Sequence, residues 1–226
     1  MTIEQFLSLP KSLYYNIMWF PLRIAIRLPV LIRYNVVIKH AKRGGVILNL
    51  NDRRMKPGVV KIGFGDIGFY DKRYNRTVID NRGQIFFLGE TFIGEGAKIT
   101  CGKHGVISFG NNFRNSGGLT ICCEKQVCFK ENVLVGWNTT IMDSDYHNLI
   151  NIGTNQVYPK TLPVYIGKDT WIAIEAVILK GTHIPDGSIV GAGSVVHGRF
   201  EVSNILIAGN PAKVIKYGVK RHVIYS

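Results

Sequence analysis

Acidic residues are scarce in this sequence. Fifteen Asp and Glu stand against 28 Lys and Arg, and none follows Glu201. The formal charge of +13 can attract nucleic acid, anionic lipid or a phosphorylated small molecule. No nucleic-acid motif and no basic helix with base-stacking aromatics is present, so phosphates and lipid headgroups are the expected anions and nucleic acid is not. Long uncharged apolar runs are missing too. Residues 12–38 are apolar, but Arg23, Arg27 and Arg33 interrupt them, as do Pro21 and Pro29. A membrane-crossing helix needs roughly 20 mostly apolar residues, so neither a span nor a cleavable leader is expected. Cysteines number four, at 101, 122, 123 and 128, with no C-x-x-C spacing and no Cys/His pattern of a zinc site. They read as reduced, buried thiols in a cytoplasmic protein, and no metal is expected. A P-loop, a G-x-G-x-x-G leading into a helix and a G-x-S-x-G are all missing, which removes the commonest nucleotide and serine-hydrolase readings.

What is there begins with a biased N-terminus. Residues 1–43 hold seven Lys or Arg and one acidic residue, Glu4, together with Phe6, Tyr14, Tyr15, Trp19 and Phe20. The pattern predicts a helical segment over 1–45. It either packs on the core or lies at a membrane interface through residues 1–40.

The second half carries a repeat. Every sixth residue from Ile166 is aliphatic: Ile166, Ile172, Ile178, Ile184, Val190, Val196. Two positions earlier the residues are small or β-branched: Val164, Thr170, Ala176, Thr182, Ser188, Ser194. Turn formers such as Gly167, Asp169, Gly181, Gly187 and Gly193 fall between. Six fits neither a 3.6-residue helix nor a two-residue alternation. It fits a short strand and a turn, three of which close a triangular coil. Each inward aliphatic then stacks on its equivalent one coil away, about 4.7 Å along the axis. Weaker runs precede it: Phe87, Ile93, Ile99, then Cys123, Phe129, Val135, Ile141. The phase slips between 99 and 109 and breaks between Ile141 and Ile166, so a loop leaves the prism over about 142–163. The expected layout is a helical segment over 1–45, a coil domain over 46–210 and a tail over 211–226.

These residues resemble the hexapeptide-repeat acyltransferases. The resemblance rests on the repeat, on W-I-A at 171–173, on V-G-A-G-S-V-V from 190, on A-G-N-P-A-K-V-I from 208, and on N-V-L-V-G-W-N-T-T-I-M-D-S-D-Y-H ending at His147. It covers residues 85–216 and looks most like the sugar O-acetyltransferase branch, with the galactoside and maltose acetyltransferases. It implies an all-β, left-handed parallel β-helix, a homotrimer and active sites between subunits. The hand comes from the resemblance alone, since parallel crossovers in sheets generally favour the other. It also implies acetyl transfer from acetyl-CoA to a sugar or glycan hydroxyl, in bacterial surface-polysaccharide assembly. The place of work would be the cytoplasm or the inner face of the membrane.

The resemblance assigns His147 as general base, a task suited to an imidazole. Asp143 or Asp145 would hold its ring, or serve the turn instead. Ala173, Ile174 and Ala192 match positions along the pantetheine arm, and Lys213 and Lys216 lie where nucleotide phosphates bind. His197 and Gly198 stand where the family often has Thr and Lys. Asn115 and Ser116 lie near a position that binds acceptor. His183 should point outward from a coil, and Trp171 should pack at a subunit contact. Two further readings share the fold: a metalloenzyme of the γ-carbonic anhydrase kind, needing three converging histidines, and a sugar N-acetyltransferase.

Overall fold

The computed structural model describes residues 2–222 apart from 52, 66, 69 and 72. Helix α1 spans Ile3–Trp19 and helix α2 spans Leu22–Ala25. Thr2 and Gln5 close a reciprocal capping box at the start of α1, which satisfies two of its free N–H groups. The regular structure that follows is short strands joined by turns, wound as a left-handed parallel β-helix.

The strands form three faces. The first face holds Val30–Ile32, Val60–Phe64, Thr91–Gly94, Phe113–Asn115, Leu134–Val135, Trp171–Ile172, Ile189–Val190 and Ile205–Gly209. The second runs from Val37–Lys39 through Lys98–Cys101, Thr120–Cys123 and Thr140–Met142 to Val195–Val196. The third runs from Val46–Leu48 through Val106–Phe109 and Gln126–Phe129 to His183–Ile184. Successive turns of the coil pair in parallel, with Ile166 opposite Ile184, Ile172 opposite Val190 and Ile178 opposite Val196. All six residues of that aliphatic series are fully buried, and so are the six small residues two positions before them.

The turns explain the period. Asp169, Glu175, Gly181, Gly187 and Gly193 all have positive φ, between 57° and 75°. One left-handed residue at every sixth position bends the chain at each corner. Gly136 shows how closely the corners stack: a Cβ there would lie 2.6 Å from the Ile174 nitrogen. Upstream the coils are larger. Ile93 pairs with Asn115 and Ile99 with Ile121, both 22 residues apart, and Ile62 pairs with Ile93, 31 apart. The wider interior is filled by aromatic rings. Phe87, Phe109 and Phe129 stack along the third face at 5.5 and 5.3 Å, and Phe113 leans on two of them at 4.7 Å.

Both ends differ from the sequence expectation. The helical segment ends at Ala25, and the first coil begins at Val30 rather than near 46. Ala212–Tyr217, expected as a tail, is a strand that pairs antiparallel with Ile205–Gly209 and closes the last coil.

The first coil is closed by α1. Val60 and Arg33 make the ladder bonds between the first two coils, leaving alternate groups of Val30, Ile32 and Tyr34 facing outward. Asn16 takes up the Val30 C=O and N–H at 2.7 and 3.3 Å, Ser12 Oγ accepts the Ile32 N–H at 2.9 Å, and Ser8 Oγ accepts the Tyr34 N–H at 3.0 Å. Four residues of helix rise about 6.0 Å and two of strand about 6.6 Å, so Ser8, Ser12 and Asn16 match the strand's repeat. The helix stands in for a strand at an edge that would otherwise pair with another chain. Arg33 adds an ionic tie. It is fully buried and bridges Glu4 of α1 at 2.5 Å and Glu95 of the third coil at 2.8 Å.

Candidate active site

The chain between Met142 and Val164 leaves the prism at the corner between the second and third faces. It forms a two-stranded ribbon, with Leu149–Ile150 antiparallel to Val157–Tyr158. The foot of this ribbon is held tightly. Asp145 N–H donates to the Lys160 carbonyl and Leu162 N–H to the Asp143 carbonyl, both at 2.9 Å. Thr161 Oγ1 donates to Ser144 Oγ at 3.1 Å. Lys180, at the same corner one coil on, binds the Asp145 carboxylate at 2.5 Å and the Pro159 carbonyl at 2.7 Å. His147 follows two residues beyond this foot, with its side chain exposed. Tyr146 before it has φ 60°, which turns the chain outward.

The two carboxylates expected beside His147 are engaged elsewhere. Asp143 is buried and accepts the N–H groups of Glu124, Lys125 and Gln126 at 2.8, 2.7 and 2.6 Å. Three backbone donors on one carboxylate define a turn clamp, not a partner for an imidazole. Asp145 pairs with Lys180. Both therefore fix the foot from which His147 projects. Lys180 and Tyr146 were not singled out in the sequence, where a lysine in a turn and a tyrosine in a loop carry no motif.

Burial closes the interior cysteines to a thioester. Cys101 and Cys123 stack on adjacent coils, both fully buried. The hydrogen bond with Cys101, then burial and the nearby Asp143 charge, push the Cys123 thiol far above its ordinary pKa. A thiol held protonated does not attack a thioester.

The other candidate groups line a different corner, between the first and second faces. Ala173 donates to the Val190 carbonyl, Glu175 N–H reaches the Trp137 carbonyl and Gly193 N–H the Ile174 carbonyl, which stacks residues 136–138, 173–175 and 191–193. Ile174, Ala192 and the rings of Trp137 and Trp171 are exposed there. Lys213 and Lys216 are exposed on the terminal strand, and Lys213 pairs with Ala208, whose Cβ sits over Gly191. Half-buried Ser116 lies on the same corner, two coils before Ala173.

Asn115 does not behave as expected. Its backbone pairs with Ile93 and Val135, both inward residues, so its side chain enters the interior column. Its Oδ1 accepts the Gly94 N–H at 2.7 Å. It stabilises a corner from inside and does not face an acceptor. His183 lies outward on the third face, against Tyr165 and 3.2 Å from the Phe200 carbonyl. Among the described residues, no three His, Cys, Asp or Glu side chains gather as metal ligands.

Thus His147 and the exposed corner of Ile174 and Ala192 lie at opposite edges of the second face. One face is about six residues wide, up to about 20 Å. A groove of about 500 Å³ on the third face is lined by Tyr165, His183, Asp186 and Arg199, and one of about 570 Å³ lies between Lys168, Asn204 and Lys220.

A coiled prism with a projecting histidine and stacked glycine-rich corners defines a class, the β-helical acyltransferases. The chain belongs to the hexapeptide-repeat O-acetyltransferase family. It is 33% identical over 147 residues to the protein named "Putative lipopolysaccharide biosynthesis O-acetyl transferase WbbJ" of Escherichia coli (strain K12), covering 61% of this chain and 74% of that one. It is 34% identical over 113 residues to the galactoside O-acetyltransferase of the same strain, covering 49% of this chain and only 53% of that protein. Among solved structures, the polySia-specific acetyltransferase NeuO superposes with a TM-score of 0.50 at 20% identity, over 65% of this chain and 63% of that one, which supports the fold. No protein-family profile matches the chain.

Proposed function

We propose that this chain transfers an acetyl group from acetyl-CoA to a sugar hydroxyl of a bacterial surface polysaccharide or its precursor. The observation that carries the reading is His147, exposed at the end of a rigidly pinned foot in a chain of this family. The names of its two relatives supply the acceptor class. His147 takes the hydroxyl proton while the sugar oxygen attacks the thioester carbonyl. The tetrahedral intermediate expels the CoA sulfur, and the imidazolium returns the proton to it. The ester forms as the thioester breaks, with no acyl-enzyme between them. Ile174 and Ala192 offer an exposed corner for the pantetheine arm, Ala173 shapes its backbone, and Lys213 and Lys216 meet the nucleotide phosphates. Ser116 contributes to the acceptor side.

The separation of His147 from that corner supports a homotrimer, in which the base of one copy meets the corner of the next. The ribbon supports it as well: Leu149, Ile150, Ile152 and Val157 are exposed and apolar, and their own chain leaves them uncovered. Among the described residues no helix is long and apolar enough to cross a membrane. The place of work we propose is the cytoplasmic membrane face, with residues 1–40 as the contact. The test is product analysis after incubation with acetyl-CoA and a panel of sugars, nucleotide sugars and lipid-linked glycans. An O-acetyl ester on a sugar is expected. An amide product, or CoA release without any acetylated sugar across the panel, would overturn the reading.

A further inference from the structure

Helix α1 is amphipathic in the wrong sense. Its buried face is mostly polar, made by Ser8, Ser12 and Asn16 with Trp19 at its end. Every exposed position of the helix is apolar, including Ile3, Phe6, Leu7, Tyr14 and Ile17, and Ile3 and Phe6 are 80% and 62% exposed. At about 100° per residue, the two stripes lie on opposite sides of the helix. The apolar stripe therefore points away from the prism, off the end of its axis. Leu22 and Ile26 of the following turn extend it, at 66% and 64% exposure. A surface of this kind on one end of a soluble protein marks a contact.

Charge says what covers it. Residues 1–61, which include the first coil, carry eleven Lys or Arg and two acidic residues. Arg23, Lys39, Lys42 and Arg43 among them are exposed around the same end. An apolar stripe ringed by cations is complementary to an anionic bilayer, in which apolar side chains enter the acyl boundary and cations meet headgroups. A second copy of this chain would instead bring the same cations together. We infer that the outward face of α1 and α2 inserts into anionic membrane, so that the prism stands on the bilayer by its first coil.

This deepens the membrane placement proposed above and adds a constraint on the acceptor. His147 projects from the fifth coil, four steps of about 4.8 Å above the first, and α1 adds a helix diameter of about 10 Å, so it stands about 30 Å over the contact. That height suits a glycan extending from a lipid carrier, not a sugar at headgroup level.

The test is flotation of the full chain with vesicles of phosphatidylcholine alone and with an equal part of phosphatidylglycerol. The chain should float with the anionic vesicles, and less so in raised salt. Phe6→Glu/Ile17→Glu should lower its bound fraction at least tenfold. Leu7→Glu/Tyr14→Glu provides an independent pair should the first unfold, as judged by its melting midpoint. Wild-type chain left unbound by anionic vesicles, or folded variants that float like wild type, would overturn the inference. So would a lipid-free assembly larger than a trimer that both pairs dissolve, since a second copy would then cover the face. Flotation is blind to the acceptor, so loss of the sugar reading would leave this result standing.

Discussion

At the scale of single residues, the contrast between His147 and its neighbours is chemical. Asp143 is saturated by backbone N–H groups and Asp145 is paired with Lys180, whereas His147 is exposed beyond them. His147→Ala should therefore remove a reacting group without loosening the loop. We expect turnover to fall about 10²- to 10⁴-fold, the usual worth of general base catalysis. Acetyl-CoA affinity, measured by calorimetry, should stay within a factor of about three, because the proposed pantetheine corner lies elsewhere. Wild-type turnover in the variant would remove His147 from the mechanism. Glu175 gives a second prediction. It is a non-glycine residue at φ 59°, in a series whose next three members are glycines. A left-handed conformation costs a side-chain-bearing residue roughly 1 kcal/mol. Glu175→Gly should raise the unfolding free energy by a sizeable part of that, less the entropy a glycine adds to the unfolded chain. An unchanged or lowered denaturant midpoint would show that Glu175 has compensating contacts.

At the scale of elements, the helix that replaces a strand makes the sharpest claim. Asn16 meets both backbone groups of Val30, and both are buried. Asn16→Leu keeps the volume and removes the partners. Each orphaned group costs about 1–3 kcal/mol, so a loss of about 2–6 kcal/mol is expected by chemical denaturation. A loss under about 0.5 kcal/mol would mean that water or a shifted helix satisfies Val30. This role was not legible in the sequence. The residue pattern left open a helix packed on the core and one at a membrane interface, because Ser8, Ser12 and Asn16 carry no mark of their partner, a strand edge whose backbone groups want hydrogen bonds. The coils from Val164 to Val196 were legible because their corners are short and uniform, so one left-handed residue recurs every six. Earlier coils were not, because corners of varied length shift the phase while the inward column continues unbroken. Asn115 shows the same limit: a polar residue in a column position carries no mark of pointing inward. The two roles left open for Asp143 could not be separated for a related reason, since its partners are N–H groups on the coil below, which no side-chain pattern announces.

At the scale of the whole molecule, the separation of base and corner becomes a test of assembly. If each site joins His147 of one copy to the Ala192 corner of its neighbour, a chain lacking the base and a chain with a blocked corner are complementary. His147→Ala removes the first function, and Ala192→Trp fills the exposed corner. Each variant alone should be nearly inactive. Unfolded together in equal amounts and refolded, they should assemble at random. A site then works only where a corner-blocked chain supplies the base and a base-free chain supplies the corner. In a ring with heterologous contacts this holds for about one site in four. The refolded mixture should therefore recover about a quarter of wild-type turnover, and light scattering should report three chains per particle. A site built within one chain predicts no recovery at any mixing ratio, because no single chain in the mixture is intact. Recovery near a quarter would place the reaction at the seam between copies. No recovery from correctly assembled trimers would return it to a single prism, where the second face must then bring His147 and Ala192 together.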